Sequence, residues 1–408
     1  MEFRESPEEA AFRAETRAWL QANAEPRALD EGFRLFAERH DDAYLARAKA
    51  WQAKKADAGW AGITWPRDCG GRGGSPMQQI IWDQEVARFD APEDAFAAGI
   101  RQGGPTVIAH GTVAQKRRYL PPLLRGDEIW CQLFSEPDAG SDLAGVTTTL
   151  ERHGDDWVAN GQKIWTSGAH CADVGFLLAR SNWDVPKHRG LTFVLLNMHA
   201  PGVTVRPLRQ ITGGANFNEV FLDDVRVPAE DVVGSVHEGW RVALTTLAHE
   251  RSVGGLGGPS VGRVIDLART AYLHGRLASE DPLVRQDLAQ LYMWSEALRF
   301  LRLRVLTGIA QGRAPGVEGS VGKLAAARLL TRTADLAMRV LGPAALLDGS
   351  DARDAGAWQH LLLAAPAVRI AGGTDEVQRN LIAEQALGLP REPRPDKDVP
   401  FRETVAKR

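Results

Sequence analysis

The 408-residue chain holds only three cysteines, Cys69, Cys131 and Cys171. Their odd number and the lack of metal-ligand spacing argue against a disulfide framework or a zinc site, and a reducing cytoplasm is the compartment that fits. No uncharged apolar run is long enough to cross a bilayer, so membrane insertion is not expected. An apolar core segment is also missing from the acidic start Met1-Glu2-Phe3-Arg4-Glu5, which argues against a secretory signal. Charge of one sign is not in excess: a net charge of −3, without any long basic run, gives no general attraction for nucleic acid or an anionic membrane. Internal repeats and low-complexity tracts are lacking too.

What is there is an ordinary globular composition, 44% hydrophobic, and a length that calls for two or three packed subdomains. Residues 6–58 interleave apolar and charged positions at helical spacing, opening on Ser6-Pro7-Glu8-Glu9, an N-cap, a proline and acidic residues in the first turn. The glycine-rich stretch Cys69-Gly70-Gly71-Arg72-Gly73-Gly74-Ser75-Pro76 is not a dinucleotide fingerprint, because no apolar strand leads into it. Helical pattern resumes through Ile80-Ile81-Trp82 and through residues 113–120. Near Trp130 the period changes to alternation and short apolar runs, with Asn160-Gly161 reading as a hairpin turn and residues 217–228 as a last strand. After Gly239 long helices return, with breaks expected at 254–259, 278–282, 311–319 and 348–356.

Two motifs carry more. One is Arg369-Ile370-Ala371-Gly372-Gly373-Thr374-Asp375-Glu376-Val377-Gln378-Arg379-Asn380 with Leu387-Gly388-Leu389-Pro390; the other is Ser135-Glu136-Pro137-Asp138-Ala139-Gly140-Ser141-Asp142. In this order and separation the chain resembles the acyl-CoA dehydrogenase family, from about residue 8 to residue 392. The resemblance implies a mainly α, α+β fold: a helical N-terminal domain over 1–129, a β-barrel over 130–235 and a C-terminal four-helix bundle over 236–408. It also implies FAD as cofactor. Gln132, Phe134 and Ser135 would contact the pyrimidine side of the flavin, Trp165 would pack beside it, and Ser167 would donate near N5. Ser141 would lie near the CoA and pyrophosphate portions, and Thr374 and Glu376 near the adenosine part of FAD. Taken alone, Trp165 reads equally well as a half-buried strand aromatic and Ser135 as a turn residue.

Removing a proton from the carbon α to a thioester needs a carboxylate. Many family members carry it before the Gly-Thr pair, where this chain has Gly372. One branch carries it on the first long helix of the C-terminal domain, followed by arginine, and Leu247-Ala248-His249-Glu250-Arg251-Ser252 matches that arrangement. Glu250 is then the expected base, on one helical face with Ala243 and Thr246, small neighbours that would leave a cavity. Arg251 would line the acyl-CoA channel, and the Gly372 N–H would polarise the thioester carbonyl. An exposed Glu–Arg pair on a solvated helix is the plain alternative. His249 reads as a packing residue.

The resemblance breaks at two places. Homotetrameric members complete a neighbour's FAD site through Arg-x-x-Phe-Gly and Gln-x-x-Gly-Gly motifs. Here Ala271 and His274 replace the arginine and phenylalanine of the first, and Arg339 and Pro343 replace the glutamine and last glycine of the second. Either Arg269, Arg276 or Arg339 substitutes in a homo-oligomer, or a related chain supplies these parts in an α₂β₂ assembly of the kind that handles bulky steroid thioesters. Gly254, Gly255, Gly257 and Gly258 would leave room for a bulky acyl group or merely kink a helix. The resemblance implies electron-transfer flavoprotein as acceptor. An oxygen-reactive oxidase or monooxygenase of the same fold, and a non-catalytic subunit, are the competing functions.

Overall fold

The computed structural model describes residues 5–27, 35–36, 41–252, 261–313 and 316–405. Helices α1 (Pro7–Asn23), α2 (Asp42–Asp57), α3 (Pro76–Val86), α4 (Gly104–His110) and α5 (Val113–Arg125) come first. Strands β1 (Trp130–Leu133), β2 (Thr149–His153), β3 (Asp156–Ser167), β4 (Val174–Arg180), β5 (Leu191–Asn197), β6 (Val203–Leu208) and β7 (Phe217–Val227) follow. Then come α6 (Gly239–Ser252), α7 (Val261–Thr270), a small hairpin of β8 (Tyr272–Leu273) and β9 (Arg276–Leu277), and α8 (Pro282–Ala310). The last helices are α9 (Glu318–Leu341), α10 (Ala357–Val368), α11 (Asp375–Leu381) and α12 (Phe401–Val405). The chain divides into two units, one of Met1–Ala37, Ile80–Asp90 and Gly254–Arg391, the other of Glu38–Gln79, Ala91–Val253 and Glu392–Arg408.

In the second unit, hereafter the sheet unit, β3 lies between β2 and β7, β6 extends β7, and the fully buried β4 pairs with β1, β2 and β5. Among the described residues β5 and β6 each pair with a single strand, so the sheet stays open as a half-barrel. Its core combines Cys131, Leu133, Leu177, Ala179, Val194, Val220 and Val225, all at most 1% exposed. The expected hairpin is displaced. Asn160-Gly161 lies inside β3, and the β2–β3 turn falls at Gly154-Asp155, between the paired His153 and Asp156. Asn160-Gly161 instead marks a bulge. The Asn160 amide donates to Asp224 at 3.0 Å while its side-chain carbonyl accepts the Asp224 N–H at 2.8 Å. At Gly161 a Cβ would fall 2.8 Å from the Thr148 Cα, so only glycine admits this approach. The glycine loop before α3 has a packing role, since a Cβ on Gly71 would meet the Trp65 carbonyl oxygen at 2.2 Å.

The first unit, hereafter the helical unit, is built on α7, α8, α9 and α10, which pack as a four-helix bundle around Val264, Leu291, Ala334, Val340, Trp358 and Leu361. Its α1 starts where the sequence signals it. Ser6 accepts from the Glu9 N–H and Glu9 returns a bond to the Ser6 N–H at 2.8 Å, a reciprocal cap. Arg13 and Arg17 then pair with the buried Glu85 of α3 at 2.8 and 2.9 Å, holding its carboxyl down at about 2, the Arg17 bond first among the causes. The breaks expected near 278–282, 311–319 and 348–356 fall between helices, although α9 already begins at Glu318. The break expected at 254–259 lies outside the described residues. All three cysteines are free. No described helix is long and apolar enough to cross a membrane.

Candidate active site

Within the sheet unit the Ser135 and Trp165 segments meet at the end of β1. The Ile164 N–H donates to the Ser135 carbonyl at 2.9 Å, so the chain leaving β1 is tied to the middle of β3. Register with β7 then slips between Lys163 and Thr166, and Trp165 sits in that bulge with φ +61, a left-handed conformation that is uncommon for a bulky side chain. Its indole is 58% exposed and edge-on to Phe217 at 6.1 Å. A strained backbone that turns a large aromatic outward points to a use beyond core packing. Gln132 and Ser135 are half-buried, and Ser141 and Ser167 are exposed. A flat aromatic face with amide and hydroxyl groups near it fits the ring and polar edge of a flavin. Phe134 differs from its neighbours. Its ring is turned into the core, edge-on to Phe176 and Phe193, so any contact it makes with a cofactor falls to its main chain.

Beneath this surface lies an ionic network that sequence reading missed. Lys163 is fully buried, and its Nζ donates to Glu136 at 2.8 Å, to the Leu178 carbonyl at 2.8 Å and to the Phe134 carbonyl at 3.0 Å. Glu136 also accepts from the Thr147 and Thr148 N–H groups at 2.6 and 2.9 Å. Burial alone would push the Glu136 carboxyl up, but Lys163 and these donors hold it below the usual carboxylate range. Burial pushes the Lys163 ammonium down, with Glu136 opposing. Arg180, also fully buried and lowered to about 10 by burial, donates to the carbonyls of Ala144 and Lys187 at 2.6 Å each. A lysine inside a strand pattern was the signal: Lys163 takes an inward position between Ala159 and Thr166, where a solvated charge would be expected to point outward.

Helix α6 begins at Gly239, where a Cβ would lie 2.6 Å from the Phe193 nitrogen, so the helix starts hard against β5. Val242, Ala243 and Thr246 are fully buried. Thr246 meets Thr106 at 2.9 Å, hydroxyl to hydroxyl, and Thr245 meets His110 Nε2 at 2.8 Å. Ala243 and Thr246 thus pack against α4 and the turn before it. Glu250 comes one turn later on the same face and is half-buried. His249 is half-buried too, and burial lowers its pKa. The side chain of Arg251 and the glycines 254, 255, 257 and 258 lie outside the described residues.

In the helical unit Gly372 and Gly373 have φ +64 and +88. A glutamate at 372 would have to occupy a left-handed conformation, so the backbone itself favours glycine there. Gly372 is exposed, and none of its described neighbours accepts its N–H. Its carbonyl accepts from Gln378 at 3.0 Å, and that of Gly373 from Lys323 at 2.7 Å. Thr374 caps α11 by accepting the Val377 N–H, and the exposed Glu376 pairs with Arg379 at 3.1 Å. Ala271 precedes a tight hairpin whose turn, His274-Gly275, has φ +52 and +80. The three arginines nearby are engaged: Arg276 with Asp281 at 2.8 Å, Arg269 with Asp266 at 3.4 Å, and Arg339 with Asp287.

Helices, an open half-barrel with an outward tryptophan on its bulged strand, and a helical bundle together define an oxidoreductase of the acyl-CoA dehydrogenase class. Family comparison agrees over nearly the whole chain: the acyl-CoA dehydrogenase N-terminal domain matches residues 6–127, the middle domain 131–225 and the C-terminal domain 237–387. The chain belongs to the acyl-CoA dehydrogenase family. It is 42% identical over 387 residues to the acyl-CoA dehydrogenase IpdE1 of Mycobacterium tuberculosis, covering 93% of this chain and 98% of that one. Among solved structures it resembles the ChsE4-ChsE5 complex of Mycobacterium tuberculosis, with TM-score 0.79 and 31% identity over 96% of this chain and 100% of the other. It also resembles the Tcur3481-Tcur3483 steroid ACAD, with TM-score 0.78 and 31% identity over 96% and 100% of the two chains.

Proposed function

We propose that this protein is an FAD-dependent dehydrogenase that introduces an α,β double bond into a bulky, steroid-type CoA thioester, with Glu250 as the base. The observation that carries the reading is Trp165, held in a left-handed conformation and turned outward, 58% exposed, on the bulged strand that buries Lys163 against Glu136. On the sheet unit, Gln132, Ser135, Trp165, Ser167 and the main chain of Phe134 would hold the flavin ring, and Ser141 the CoA portion. On the helical unit, Thr374 and Glu376 would serve the adenosine part. When bound, FAD supplies the acceptor for the hydride that leaves the β carbon, so that the product is a trans-2-enoyl-CoA. The Glu250 carboxylate takes the proton from the α carbon. Its place at the end of the buried face of α6 lets it be partly desolvated while remaining open on one side. The Gly372 N–H donates to the thioester carbonyl, where enolate charge develops.

The half-site for a neighbour is taken to come from a different chain in an α₂β₂ assembly, with electron-transfer flavoprotein as the acceptor. Supporting this, Arg269, Arg276 and Arg339 are each committed to a carboxylate of their own chain. The steroid assignment draws on the relatives, which include a steroid ACAD. The decisive experiment is anaerobic mixing of the FAD-loaded Glu250→Gln protein with a steroid acyl-CoA. Retained FAD without flavin bleaching is expected; reduction at the wild-type rate would remove Glu250 from its role.

A further inference from the structure

The chain after Arg391 returns to the sheet unit and fastens onto the β4–β5 connection, residues 181–190. The Phe401 N–H donates to the Val185 carbonyl at 2.9 Å and the Arg402 N–H to the Trp183 carbonyl at 3.1 Å. Pro400 bridges Pro186, and Arg402 pairs with Asp184 at 2.5 Å. The Phe401 ring is 1% exposed, lying 5.4 Å from the Trp183 ring and 3.8 Å beneath the Arg180 guanidinium. A buried aromatic close to the C-terminus, joined by main-chain bonds to a loop some two hundred positions earlier, is a built contact rather than a trailing end.

Two side chains carry this contact onward to the loop that bears Ser141. Arg180 spends its guanidinium on the carbonyls of Ala144, Val146 and Lys187. Lys187 in turn bridges two carboxylates: Asp142, next to Ser141, at 2.9 Å, and Asp396 of the returning segment at 3.1 Å. Lys187 is 19% exposed and its two carboxylates 40% each, so the bridge is shielded from solvent at its lysine end alone. Close packing leaves the arrangement little freedom. A Cβ on Gly190 would fall 2.0 Å from the Asn182 carbonyl oxygen and 3.1 Å from Arg180 Nη1.

We infer that Lys187 is a positioning residue for acyl-CoA binding, and that residues 392–405 act as a clasp which, through Lys187 and Arg180, sets the position of the Ser141–Asp142 loop. Lys187 need not touch the substrate. It holds the loop at one place, so that Ser141 meets the CoA portion without first having to be ordered. The inference rests on the reading of Ser141 as a CoA contact.

The test compares Lys187→Met, Asp396→Asn, Phe401→Ala and Ser141→Ala in the FAD-loaded assembly. K187M and D396N are expected to raise KM for the acyl-CoA about tenfold while kcat and FAD content stay at wild-type values. F401A is expected to act likewise and to speed amide exchange at Gly145 and Val146, measurable on the chain alone. A wild-type KM in K187M with normal FAD content would overturn the inference. So would activity that falls only in proportion to lost FAD, which is the mark of a purely structural contact. S141A separates the two readings: a wild-type KM there, beside a raised KM in K187M, removes Ser141 as a CoA contact and leaves the clasp in place.

Discussion

The sheet unit and the helical unit handle charge in opposite ways. Around β3 the ions are buried and satisfied inward, Lys163 with Glu136 and Arg180 with main-chain carbonyls, and the surface above them is left to an indole and a few hydroxyls. Around the β8–β9 hairpin and the end of α9 the arginines lie at the surface, each paired with a nearby carboxylate of the same chain. The first arrangement clears and rigidifies a face for a ligand. The second pairs, at the surface, the arginines that the proposed homo-oligomeric alternative would offer to phosphate. In the proposed α₂β₂ assembly, this contrast corresponds to a half-site that the chain builds for itself and a half that a different chain supplies.

The comparison can be broken at several points. The largest effect is expected at the base: E250Q should slow flavin reduction by acyl-CoA about a thousandfold, read by stopped-flow absorbance, with stability unchanged. Next comes the buried pair. K163M strands Glu136 and should destabilise the sheet unit by about 4 kcal/mol, checked by denaturant unfolding; the helical unit's amide exchange should stay at wild-type protection.

The helical unit buries Glu85 as well as Asp281 and Asp375, and E85Q should cost about 3 kcal/mol there. Because the folded-state pKa of Glu85 lies at about 2, below the ordinary 4.5, its contribution is complete above pH 4.5 and is lost as pH falls toward 2. Acid unfolding of E85Q should therefore show a flatter dependence than wild type across that window.

W165A should weaken FAD binding about tenfold, measured by titration of the stripped protein, because an exposed aromatic face is lost without a packing defect. The smallest effect is the sharpest test of the contrast. R276Q and R339Q should change stability by about 0.5 kcal/mol or less and leave the FAD-to-chain ratio of the assembled protein unaltered. A loss of flavin in either would restore that arginine to the phosphate site and favour a homo-oligomer.

The local signals were legible in the sequence because they act over a few residues. Ser6 and Glu9 form their cap three positions apart, β4 is buried along its whole apolar run, and Glu250 follows Thr246 by one helical turn. Asn160-Gly161 shows the limit of such reading: the pair does favour an unusual backbone, but pairing with β7 turned it into a bulge and the hairpin formed at Gly154-Asp155. The order of helices, strands and helices, the free cysteines and a glycine at 372 were thus set by the sequence itself. The outward turn of Trp165, the burial of Lys163 against Glu136 and the clasp of Phe401 on Arg180 were decided only by tertiary structure. The turn of Trp165 depends on the register that β7 imposes on β3. The other two depend on groups far apart in the chain being desolvated together, and a charge shows no preference for such a partner until folding has removed the water between them.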